Sequence, residues 1–179
     1  MNKIHAITAS AILASMLLMI APTAASYAQP KPTGTSPIAP HTYHGTISSI
    51  QPDEKGAPVW IQSGIWTLKI KGNGSAVTGY KSNLTFRAVF DMVEPDGTSM
   101  HRHAVSDLKV SGFTNENNVY VINGTATVDM KGTLVKDVPV TIKVMNDSAI
   151  AMWIGPARVD NHFGTTPIYG MVAMRPAHR

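Results

Sequence analysis

The chain has 179 residues, a net charge of +4, seven histidines, ten methionines and no cysteine. The missing cysteines exclude disulfide staples, a lipid-modified N-terminal cysteine and every thiolate metal site, the blue-copper type included. Lysines and arginines are scattered without runs, so nothing marks a nucleic-acid surface.

At the N-terminus, Lys3 precedes an apolar run from Ile4 to about Ile20, followed by small residues through Ser26, Tyr27 and Ala28. This is the layout of a secretory signal peptide over residues 1–28, cleaved after Ala28. An uncleaved anchor is the alternative, because the run falls only a little short of the roughly 20 residues needed to span a bilayer. Residues 29–40, QPKPTGTSPIAP, hold four prolines and little that could pack. They read as a semi-rigid spacer ahead of a single domain over 41–179.

From His41 onward the pattern is one of short β-rich runs broken by Gly, Asn, Asp and Pro, with no useful helical period. Candidate strands cover residues 42–50, 58–62, 65–72, 84–93, 99–112, 118–123, 125–132, 138–145, 149–154 and 167–174. Eight to ten strands at this spacing predict an all-β domain, a single antiparallel β-barrel or β-sandwich. Turns are predicted at Asn73-Gly74, Pro95-Asp96-Gly97, Asn123-Gly124 and Asn146-Asp147, whose residues tolerate positive φ or preset a bend. Trp60, Trp66 and Trp153 lie in strand-like runs and read as core. Asn73, Asn83, Asn123 and Asn146 each begin an Asn-x-Ser/Thr triplet. They are glycosylation acceptors if the protein is exported, or simply turn-forming residues.

The segment PDGTSMHRH, residues 95–103, holds the most informative chemistry. Pro95-Asp96-Gly97 predicts a three-residue loop in which Glu94 faces Thr98. That register sets Met92 against Met100, Asp91 against His101, Phe90 against Arg102 and Val89 against His103. His101 and His103 then share the polar face with Asp91 and Arg87, away from the apolar core. A slip of one residue would turn both histidines inward beside Met92 and Phe90.

Residues i and i+2 of a strand point the same way, about 6 to 7 Å apart, so two imidazoles so placed can converge on one ion. His162, in the loop RVDNHFGTTPIYG, is the expected third ligand, with His44 next in line. Asp91 and Arg87 are the expected outer partners, Asp91 accepting the proton of the second ring nitrogen of His101. Zinc suits three neutral histidines with an open position. Copper is favoured by the thioethers of Met92 and Met100. The His-x-His pair plus a distant histidine is similar to the ligand pattern of β-rich carbonic anhydrases. Catalysis without a metal is poorly supported: Ser106 and Asp107 lack a glycine-framed nucleophile, and KGNGSAVTG lacks the lysine and helix of a phosphate loop.

The stretches FRAVFDMVEPDGTSMHRHAVSDLKV and VDNHFGTTPIYG resemble exported proteins of ammonia-oxidising archaea, a family without an assigned activity. The resemblance runs from about Trp60 to Gly170. It implies an extracytoplasmic protein, secreted or on the cell surface, in copper-dependent cells, and carries no catalytic assignments. The sequence thus supports an exported protein binding copper or zinc through His101, His103 and His162. A structural or adhesive envelope domain, partnered with itself or other envelope proteins, is one alternative, and a zinc-dependent hydratase or hydrolase is another.

Overall fold

A computed structural model describes residues 40–71 and 84–173. The expected signal peptide, most of the expected proline spacer, the turn expected at Asn73-Gly74 and the triplets that begin at Asn73 and Asn83 lie outside these residues. The described residues belong to one compact unit, Gly34–Arg179.

Eight antiparallel strands follow one another around a closed barrel: β1 (His41–Pro52), β2 (Pro58–Ile70), β3 (Leu84–Val93), β4 (His101–Glu116), β5 (Val119–Met130), β6 (Thr133–Met145), β7 (Ala149–Ile154) and β8 (Ile168–Val172). Each strand pairs with its sequence neighbours, and β8 returns to β1 through Gly45–Val172, Thr46–Met171 and Ile47–Gly170. Of the two architectures expected, the barrel is the one formed. Closure leaves no free edge, which suits a domain that has no disulfide to protect it.

Alternation along the strands fills the interior. On β6, Val138, Val140, Ile142 and Val144 are buried while Pro139 and Lys143 are exposed. Trp66, Leu68, Phe86, Phe90, Ile122 and Met152 join them in one cluster. At this diameter the interior of an eight-stranded barrel is just wide enough for side chains to fill.

Two expected breaks are absent, which reduces ten candidate strands to eight. Gly64 sits inside β2, where a Cβ would fall on the Val89 carbonyl, and Gly124 sits inside β5, where one would fall on the Lys109 carbonyl. These glycines permit close backbone approach between neighbouring strands and do not turn the chain. Asn123-Gly124 is therefore strand, with Asn123 exposed and its side-chain oxygen accepting from Thr141 Oγ1 at 2.8 Å. The tight turns lie at Asn117-Asn118, Lys131-Gly132 and Asn146-Asp147, all at positive φ. Tyr43 Oη donates to Asp147 Oδ1 at 2.7 Å and ties β1 to the last of these turns. Burial first, and then this bond, push the Tyr43 phenol well above its ordinary pKa.

Candidate metal centre

The hairpin between β3 and β4 decides where the histidines point. Its loop begins as expected: the Glu94 N–H donates to the Thr98 carbonyl at 3.0 Å, and the Gly97 N–H donates to that of Glu94 at 2.8 Å. Asp96 Oδ1 accepts from the Thr98 N–H at 2.9 Å and from Thr98 Oγ1 at 2.7 Å. The departure comes one residue later. Ser99 adopts φ 56°, a left-handed conformation that inserts one residue before β4 starts.

From that point the register is Met92–His101, Asp91–Arg102 and Phe90–His103, one residue away from the expected pairing. Because side chains alternate, the whole face reverses. His101 and His103 turn into the barrel end, and Met100 points outward, 68% exposed. The polar-face placement expected from the proline turn is corrected accordingly. Asp91 lies opposite Arg102 and accepts from its Nε at 2.8 Å and its Nη2 at 3.0 Å on the outer surface. That guanidinium holds the Asp91 carboxyl below the usual range. Arg87 is likewise exposed on the outer face of β3. Neither residue can serve as the outer partner of a histidine.

Backbone carbonyls take that role. His101 Nδ1 lies 2.7 Å from the Ser99 carbonyl, and His103 Nδ1 lies 2.8 Å from that of Asp129. A carbonyl only accepts, so each Nδ1 carries a proton and each ring in its neutral form presents an Nε2 lone pair. The strained residue Ser99 therefore both turns His101 inward and fixes its tautomer.

His162 arrives from the segment joining β7 to β8, which folds into a 3-10 turn at Pro156–Arg158 followed by tight turns. Asp160 and Asn161 adopt φ 48° and 57°, and Gly164 adopts 67°; His162 N–H donates to the Val159 carbonyl at 2.9 Å. Val159 and Phe163 are buried on either side and anchor this segment to the core. His162 Nε2 lies 3.0 Å from His101 Nε2 and 3.0 Å from His103 Nε2. The three rings offer ligand atoms that all fall within 4.8 Å of one another. His44 is exposed on the outer face of β1 and takes no part.

The surroundings are aromatic. Trp60 meets His101 edge-on with ring centroids 5.0 Å apart, and Phe163 lies 4.9 Å from His103 and 5.1 Å from His162. Phe90 completes the wall at 5.7 Å from His103. His103 is fully buried, while His101 and His162 are half-buried. Burial is the main cause of the lowered pKa of His103. Burial, followed by the neighbouring His103 and His101, brings His162 down to about 4. Both shifts favour the neutral ring, the state in which imidazole binds metals.

Sequence reasoning assigned Trp60 to the core and passed over Phe163. The alternation of Trp60 with the inward Gln62, and the adjacency of Phe163 to His162, were the available signals. Trp66 is buried as expected.

The fold and the cluster together define a closed eight-stranded antiparallel barrel with three histidines at one end, close enough to hold a metal ion. No protein-family model, curated protein or solved structure matches the chain, so the chemistry of the site alone carries the functional reading. Among the described residues no helix is long and apolar enough to cross a membrane.

Proposed function

We propose that the protein is an extracytoplasmic metal-binding protein that holds one copper or zinc ion through Nε2 of His101, His103 and His162. The observation that carries this reading is the convergence of three nitrogens whose lone pairs cannot all be satisfied by protons. With the Nδ1 protons of His101 and His103 already committed, His162 Nε2–H could donate fully to only one of two neighbours, each 3.0 Å away. A cation satisfies all three. Nitrogens bound to one ion at about 2.0 to 2.1 Å stand roughly 2.9 to 3.6 Å apart for bond angles between about 90° and 120°; the two separations from His162 Nε2 fall in that range, and His101 and His103, whose ligand atoms lie within 4.8 Å, close on the ion by small ring movements.

The extracytoplasmic placement is supported by the leader-like residues 1–28, the lack of cysteine and the resemblance to exported archaeal proteins. Elemental analysis of the full chain, purified without a histidine tag and loaded with copper or zinc, tests the metal site. About one equivalent of tightly held metal is expected. The double substitution His101→Ala and His103→Ala should abolish it; uptake that is absent in the native chain or unchanged in the variant overturns the proposal.

A further inference from the structure

Two methionines flank the histidines in sequence, and the register gives them opposite surroundings. Met100 stands in solvent, whereas Met92 is fully buried and is the direct cross-strand partner of His101. On its other side Met92 pairs with Gln62 of β2, and Gln62 pairs with Ser49 of β1. Ser49, Gln62, Met92 and His101 thus form one inward row across four strands. Inward residues directly opposite in an antiparallel pair have Cβ atoms about 4.5 to 5.5 Å apart, so the flexible thioether of Met92 can reach the His101 ring.

The sulfur is also oriented. Gln62 Nε2 donates to Gln51 Oε1 at 3.4 Å and makes a long contact to Met92 Sδ at 3.9 Å. Gln62 itself is almost completely buried, at 2% exposure. Met92 belongs to the buried core cluster, and beside that apolar packing it has a buried amide donor on one strand and an imidazole as its partner on the other. A thioether sulfur has two lone pairs, and the amide engages one of them.

We infer that Met92 Sδ is a fourth ligand, completing with the three imidazoles a soft site that selects Cu(I) over Zn(II). The inference rests on the reading that the three histidines hold an ion, and it adds the identity of that ion. Thioethers bind Cu(I) well and contribute little to zinc. The aromatic wall of Trp60, Phe90 and Phe163 limits the access of water, which Cu(I) does not require as a ligand.

The test compares the full native chain with Met92→Leu, a substitution that keeps volume and removes the lone pairs. Cu(I) affinity is read by competition with a chromogenic Cu(I) chelator, and Zn(II) affinity with a zinc indicator, both under anaerobic conditions. The variant is expected to bind Cu(I) about tenfold more weakly or worse, the scale on which even outer partners of metal ligands act, with Zn(II) affinity unchanged. Equal losses for both metals, or none for Cu(I), overturn the inference. A native chain that binds zinc but not Cu(I) also overturns it while leaving the three-histidine reading intact, whereas one that binds neither defeats both. X-ray absorption at the copper edge supplies a readout free of mutation. In the Cu(I)-loaded chain grown with selenomethionine a directly bonded selenium is expected, and its absence overturns the assignment of Met92.

Discussion

His162→Ala isolates the metal site from the barrel, because His162 sits on the β7–β8 connection and lies half-buried at the surface of the cluster. The native chain at a free metal concentration one hundred times Kd gains about 2.7 kcal/mol from binding. For a domain of this size each kcal/mol raises Tm by about 2 to 8 °C, so a shift on the order of 10 °C is expected on metal addition. Removing His162 takes away the nitrogen that lies 3.0 Å from each of the other two. If affinity then falls roughly a thousandfold, the same free metal stands at about a tenth of Kd and contributes less than about 0.1 kcal/mol, a shift too small to see. The metal-free variant should melt within a few degrees of the metal-free native chain, since truncating one half-buried ring costs about 1 kcal/mol. Scanning calorimetry of both proteins, with metal and after chelation, gives all four values. A variant that keeps the native metal-induced shift would refute the role of His162 as a ligand.

Ser99→Val, a β-branched residue that resists the left-handed conformation of the bulge, should favour the unbulged pairing of Asp91 with His101 and turn both histidines outward; metal uptake should then fall sharply while the far-ultraviolet circular dichroism remains that of a β-protein, and retained uptake would show that the bulge does not set the site. Gly45→Ala places a Cβ on the Met171 carbonyl at the short β1–β8 seam, so a loss of about 3 kcal/mol or more is expected in denaturant unfolding, and a loss under about 1 kcal/mol would mean that the seam yields easily. The metal-free protein should lose stability with acid in a defined window. His103 and His162 have folded pKa values below the unfolded value of about 6.5, so the unfolded chain binds more protons, and stability is complete above about pH 6.5 and declines toward pH 4. A flat profile across that window would contradict the burial of these rings.

Much of this protein follows from local patterns. Alternating apolar residues, Asn-Asp and Pro-Asp-Gly turns and the lack of any helical period were enough for an all-β domain, and the i, i+2 spacing was enough to aim His101 and His103 at a common point. His162 was legible because Asp160, Asn161 and Gly164 give its loop the freedom to direct a ring. Gly64 and Gly124 misled in the other direction, since a glycine that admits a neighbouring backbone looks, in one dimension, the same as a glycine that ends a strand.

What the tertiary structure decided was parity. Pro95, Asp96 and Gly97 specify the loop, and its first hydrogen bonds form as their chemistry requires, yet a single left-handed residue, Ser99, shifts every later pair by one. A bulge of this kind leaves no strong mark on the sequence, because serine is an ordinary strand and turn residue. It is stabilised by contacts the chain makes only when folded: His101 Nδ1 on the Ser99 carbonyl, the Met92 and Phe90 faces closing over the barrel end, and His162 arriving from another connection. Side chains alternate with a period of two, so that one residue determines whether the histidine pair faces water or a buried convergence of three imidazoles.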